Sequence, residues 1–156
     1  MRQAELINFI LESNKAGYAE GDLKKWIKEI DGSTTITFEK GHWKSHDNFF
    51  GGEPYGGRIV IFYKNRPAWI MLYYGSVNKA EEINLVFRVL RNALKAMPKE
   101  YPFRGPKEYC EMEYTYSNTW SGDIDGFNGK EIITLNDDQI YQADYFGGFV
   151  DRHNGN

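Results

Sequence analysis

Three features of this 156-residue chain predict an α+β fold, a largely antiparallel sheet with helices on one face. Residues 57–75 and 129–147 echo one another at an offset of 72 positions, each reading as a strand, a polar turn and a second strand ending aromatic-aromatic-Gly. A strongly amphipathic helical segment over residues 79–96 separates them. Alternating strand-like sequence also precedes each hairpin. The expected architecture is therefore two related hairpins, an additional strand pair, an N-terminal helix and a long central helix, in a single domain over residues 1–156.

The elements follow in order. Over residues 2–16, Leu6, Ile7, Ile10 and Asn14 share one helical face, Phe9 and Leu11 widen it, and Gly17 supplies a stop. Residues 22–30 read as a short helix capped by Asp22, with Leu23, Trp26, Ile27 and Ile30 on one face; Asp31-Gly32 offers a hairpin turn as the alternative. From Thr34 the period becomes two, Lys40-Gly41 turns the chain, and 42–50 returns as a strand. The glycine-rich 51–57 breaks the pattern. Strands over 58–63 and 68–74 flank the turn 64–67, and their near-continuous apolar character predicts cover on both faces.

For the central helix, Asn78 is a cap and Glu81 the capping-box acid. Ile83, Phe87, Leu90, Leu94 and Met97 form its expected buried stripe, helped by Val86 and Ala93, with Arg88, Arg91 and Lys95 on the wetter side and Pro98 as terminator. After a proline-rich loop, Cys110, Met112, Tyr114 and Tyr116 alternate with polar residues as a half-buried strand, with Cys110 a buried hydrophobe. Residues 151–156 read as a frayed tail.

The agreements of the two echoing stretches describe the sheet: Gly57, Ile61, Tyr73 and Gly75 recur as Gly129, Ile133, Tyr145 and Gly147. Their differences point to a site. Ile59, Ile70 and Leu72 become Glu131, Gln142 and Asp144, giving the second hairpin a polar side. That side either faces water or forms the rim of a tyrosine-lined cleft, the usual setting for a small ligand.

Composition narrows the function classes. A net charge of −3 without a basic stripe argues against direct nucleic-acid binding. No apolar run reaches the length of a membrane span, and the N-terminus lacks a signal core, so the expected location is cytoplasmic. Cys110 is the only cysteine, so no intramolecular disulfide and no C-x-x-C motif is present. No phosphate loop, dinucleotide fingerprint or nucleophile elbow occurs, and no cofactor is expected. His42 and His46 lie on one strand face about 13 Å apart, too far to share one zinc ion, so no metal is expected either. Asp123 and Asp125 read as turn residues. Arg104, stiffened between Pro102 and Pro106, is the cation best placed for an anion or for packing on Tyr101 or Phe103.

Several segments together resemble a bacterial domain family of unknown function that occurs alone or fused to Xre-type helix-turn-helix regulators. They are Asp47-x-x-Phe50-Gly51-Gly52, Pro67-x-Trp69-x-Met71-x-Tyr73-Tyr74-Gly75, Pro98-x-x-Tyr101-Pro102-x-Arg104-Gly105-Pro106, Phe127-x-Gly129-x-Glu131 and Tyr145-Phe146-Gly147-Gly148. The resemblance spans roughly 47–150 and implies an effector-sensing or interaction module. The first expectation is a non-catalytic small-molecule-binding module. Its cleft is expected to be lined by Trp69, Tyr73, Tyr141 and Tyr145, with Arg104 and Asp144 orienting the ligand. The alternatives are a homo-oligomeric interaction protein, a homodimer in its simplest form, and a small hydrolase-like enzyme using His46, Asp47 and Glu53.

Overall fold

The computed structural model describes residues 3–18, 25–78 and 83–152. Its elements are α1 (Gln3–Tyr18), β1 (Lys25–Lys28), β2 (Thr34–Lys40), β3 (Trp43–Gly51), β4 (Tyr55–Tyr63), β5 (Arg66–Val77), α2 (Ile83–Lys95), β6 (Glu108–Glu111), β7 (Tyr114–Asp123), β8 (Gly126–Leu135) and β9 (Asp138–Phe149). The strands form one nine-stranded antiparallel sheet in the order β1-β2-β3-β4-β5-β9-β8-β7-β6. The fold is α+β, as the sequence predicts.

The two hairpins have matching registers. Gly57 pairs with Tyr73 and Gly129 with Tyr145, each two members of a pair displaced by 72 residues. Each hairpin has a register shift at the same place, after Ile61 and after Ile133. Each turns through two left-handed residues, Lys64-Asn65 and Asn136-Asp137, as a two-residue type I′ turn requires. The correspondence extends outwards: Lys40 pairs with Trp43 and Glu111 with Tyr114, across turns whose first residues, Gly41 and Met112, both have positive φ. β5 meets β9 at the centre, where the corresponding tyrosines Tyr73 and Tyr145 pair with each other.

Both helices pack on the inner face. From α1, Leu6, Phe9 and Ile10 cluster with Ile61, Trp69, Met71 and Tyr73. From α2, Val86, Val89, Leu90 and Ala93 cluster with Tyr114, Tyr116, Ile133 and Tyr141.

Four expectations need correction. The part of 22–30 that is described is a strand: β1 pairs with β2 around a turn in which Asp31 accepts bonds from the Ser33 amide (2.9 Å) and hydroxyl (2.6 Å) and Gly32 takes positive φ. That turn geometry wins over the helical spacing of the apolar residues; Asp22 and Leu23 lie outside the described residues. No described helix covers the outer faces of β4 and β5, because both described helices share the other face; Tyr74 is 59% exposed there, although Val60 is buried. In α2 the buried positions are Val86, Val89, Leu90 and Ala93, while Phe87 and Leu94 are half-buried beside a cavity. The Asn78 side-chain amide donates to the Gln139 carbonyl at 3.3 Å; the residues it is expected to cap, and Glu81 among them, lie outside the described residues. Cys110 is exposed, because Met112-Glu113 reverses the chain and splits the expected single strand into β6 and β7. At the C-terminus, Arg152 forms an ion pair with Asp125 at 3.0 Å, while 153–156 lie outside the described residues.

Gly57 is demanded by the close approach of β3. A Cβ there would lie 2.4 Å from the Asn48 carbonyl oxygen and 2.8 Å from Phe49 Cα. Gly57→Ala is expected to destabilise the protein by roughly 1–3 kcal/mol, whereas Gly126→Ala, which meets nothing within 4 Å, leaves the midpoint nearly unchanged. Urea unfolding of the two variants checks the contrast.

Candidate functional site

Away from the bulged hairpin ends, odd-numbered residues of β3, β4, β5, β8 and β9 and even-numbered residues of β7 face the helices. That alternation brings Asp47, Ile59, Met71, Tyr73, Tyr145 and Glu131 onto one surface. The segment 97–107 crosses this surface and is held by side chains of the second half. Arg104 donates through Nε and Nη2 to Glu131 Oε1 at 2.8 and 2.7 Å, and the Tyr116 hydroxyl donates to Glu131 Oε2 at 2.6 Å. The Gly105 amide donates to the Tyr116 hydroxyl at 3.1 Å, and Asn118 Nδ2 donates to the Gly105 carbonyl at 2.9 Å. Phe103 stacks on Phe127 with ring centroids 3.9 Å apart.

Glu131 is fully buried and Arg104 nearly so. Burial by itself weakens the guanidinium's hold on its proton, but the Glu131 carboxylate beside it outweighs that and keeps Arg104 charged well above the ordinary arginine range. Its guanidinium carbon also lies 5.6 Å from the centre of the Tyr73 ring. The phenols around the pair are pushed up, by burial first. For Tyr116 and Tyr141 the Glu131 carboxylate adds to it, and for Tyr73 the Asp47 carboxylate does. Tyr145 is raised to about 12, chiefly by burial.

Next to this network lies a cavity of about 560 Å³ between β3–β5, the two helices and residues 97–104. Trp69, Tyr73 and Arg104, three of the expected site residues, line it. Tyr141 and Tyr145 stand behind its wall. The Tyr141 hydroxyl bonds that of Tyr55, a lining residue, at 2.5 Å, and the Tyr145 hydroxyl donates to Asn118 Oδ1 at 2.7 Å. Asp144 does not join them. It stands exposed on the outer face, 3.9 Å from the Lys130 ammonium. Glu131, Gln142 and Asp144 therefore do not form one polar side: Glu131 points inward, and the other two alternate outward.

Residues 46, 47 and 53 are also separated. His46 and Asp47, adjacent on β3, point to opposite faces, and Glu53 Oε1 accepts from the Val77 amide at 2.7 Å. Asp47 is the member on the cavity, where it accepts from the Tyr73 hydroxyl at 2.5 Å. Among the described residues no group of three or more His, Cys, Asp and Glu could hold a metal ion, and no helix is long and apolar enough to cross a membrane.

A family model described as "Domain of unknown function (DUF5680)" matches residues 47–150. The chain belongs to the DUF5680 family. Comparison with curated proteins and with solved structures gave no match. The DUF5680 region begins at Asp47 and contains Arg104 and Glu131. Those three are the charged residues of the sequence segments quoted above for the resemblance, and all three lie on the inner face. That coincidence is the signal by which Glu131 could have been found. Tyr55, next to the glycine-rich connection, carried no comparable signal.

Removing one partner of the buried pair is costly because the other charge remains buried. Arg104→Met is expected to cost about 3–5 kcal/mol, and the double variant R104M/E131L to be more stable than R104M. Chemical denaturation of both checks the order.

The raised tyrosines make a second prediction. In the unfolded chain these phenols ionise near pH 10, whereas folded Tyr145 holds its proton to about 12. Their contribution is fully present below pH 10 and is lost as pH rises through the folded values. Stability is expected to fall from pH 10 upward, less steeply in Tyr145→Phe, as measured by urea unfolding across pH 8–12.

Proposed function

We propose that this DUF5680 protein is a non-catalytic small-molecule-binding module whose ligand occupies the inner cavity. The observation that carries the reading is the cavity itself. At about 560 Å³ it falls in the range of roughly 300–1,000 Å³ typical of small-molecule sites. Its walls combine apolar side chains with a few polar groups fixed by their own hydrogen bonds, which is the usual composition of such sites. Tyr73 and Arg104 keep the ligand-contacting roles expected of them, and Trp69 supplies apolar wall. Asp47 takes the polar position expected of Asp144, and Tyr55 the aromatic wall position expected of Tyr141. The separation of His46 from Asp47 favours binding over hydrolysis. In a bacterial cytoplasmic setting this role fits an effector sensor.

A second reading is homodimerisation through the outer face, where Phe50, Tyr74 and Phe146 are each more than half exposed. Light scattering at high protein concentration separates the two, since a strict monomer removes the dimer.

The binding reading is tested by thermal-shift screening against a metabolite library. At least one compound at a hundredfold excess over its Kd is expected to raise the midpoint by about 5–10 °C, and Tyr73→Ala is expected to reduce the shift. Absence of any stabilisation by the library overturns it.

A further inference from the structure

We infer that the cavity takes an uncharged, predominantly apolar ligand, a conclusion that rests on the cavity being a binding site and specifies what it admits. The starting point is how the polar side chains on the wall are used. Ser13 of α1 is bonded to Ser45 of β3 at 2.9 Å, and Asn14 donates to the Leu94 carbonyl at 3.0 Å. The Tyr73 hydroxyl donates to Asp47, and the Tyr55 hydroxyl is bonded to that of Tyr141. Arg104 is neutralised by the fully buried Glu131. Each of these groups already has a partner inside the protein, and the remaining arginine on the wall, Arg91, is exposed.

A charged ligand therefore gains little and loses much. It gives up its hydration on entering, and a buried charge without a dedicated partner is strongly unfavourable. A carboxylate reaching for Arg104 has to compete with Glu131 and approach two carboxylates, Glu131 and Asp47. An ammonium reaching for Asp47 approaches Arg104, whose guanidinium covers the Tyr73 ring to which Asp47 is bonded. By contrast, Ile36, Phe49, Ile59, Phe87, Leu94 and Met97 offer continuous apolar wall.

The register-equivalent position in the second half sharpens the point. Ile59 stands where the other hairpin carries Glu131, the residue that binds a guanidinium. Ser45 stands opposite Ile61 where Tyr116, the hydroxyl donor to Glu131, stands opposite Ile133. The half that holds a charged group carries a carboxylate and a phenol at these two positions, and the half that borders the cavity carries an isoleucine and a serine there.

The experiment uses the full chain and N-phenyl-1-naphthylamine, an uncharged dye whose fluorescence rises in apolar sites. It is displaced by decan-1-ol, decanoate or decylammonium, each below its aggregation concentration at pH 7.5. Decan-1-ol is expected to reach half-displacement at a concentration at least tenfold lower than either ion. Equal or better displacement by decanoate or decylammonium overturns the inference about ligand class while leaving the cavity as a binding site. If the dye does not bind and none of the three compounds shifts thermal unfolding, the binding reading falls and this inference with it. Met97→Trp, which fills the cavity, is expected to weaken dye binding at least tenfold with an unchanged far-ultraviolet spectrum; Ile59→Phe serves if that variant does not fold. A folded cavity-filling variant that binds dye as well as the parent protein places the dye elsewhere and overturns the inference.

Discussion

The buried pair of Arg104 and Glu131 is the constraint on which the inner face depends. Two charges removed from water are tolerated only where their geometry is good and their remaining bonds are filled. Here Arg104 donates twice to one carboxylate oxygen while Tyr116 donates to the other. Satisfying the pair fixes more than the pair. It draws the 97–107 segment across the sheet, seats Phe103 on Phe127 and sets the guanidinium over Tyr73. The Gly105 backbone is then close enough for Tyr116 and Asn118 to bond it, and a Cβ at Gly105 would lie 2.6 Å from the Tyr116 hydroxyl oxygen. One end of the cavity is thus closed by an electrostatic requirement and not by apolar packing alone.

The sheet gives both halves the same backbone, so the difference between them must come from side chains. Tyr73 donates to Asp47 and Tyr145 to Asn118, the same bond in register-equivalent places. The second half uses its amide to hold a carbonyl of its own chain, which a carboxylate could not do because it offers no donor at neutral pH. It therefore binds the crossing segment tightly and is filled by α2. In the first half α1 packs over Phe38, Trp43, Ile61 and Trp69, leaving room above Asp47 and Ile59. Matching backbones carrying unlike inner residues produce one filled side and one open side.

How far this was legible in the sequence depends on the range of the interaction. Turns are local, and the two left-handed turn pairs and the shared positions 57/129 and 73/145 could be placed from neighbouring residues. Which face a residue takes depends on counting by two from a correct strand start, and Glu131, Gln142 and Asp144 were grouped across that parity. Glu131 finds its partner on a loop 27 residues away, which no local pattern encodes. The spacing of α2 correctly brings Val86, Leu90 and Ala93 to the sheet but omits Val89. The small side chains permit close helix approach, while the larger Phe87 and Leu94 are left to border the cavity. Cys110 was misplaced for a similar reason: alternation continues unbroken through Met112, and only the positive φ there reverses the chain.

The limits of the family match divide the cavity in a chemically informative way. The polar network of Asp47, Tyr73, Arg104, Tyr116 and Glu131 lies wholly within residues 47–150. Much of the opposite wall does not: Ile10 and Ser13 come from α1 and Ile36 from β2, both before Asp47. The matched region therefore carries the fixed internal hydrogen bonds that keep charged groups satisfied, and the preceding elements supply apolar cover. Because the polar part is committed to itself, the shape of the cavity is set largely by that cover. Residues of α1 and β2 can change size without breaking the buried pair, since neither element takes part in it.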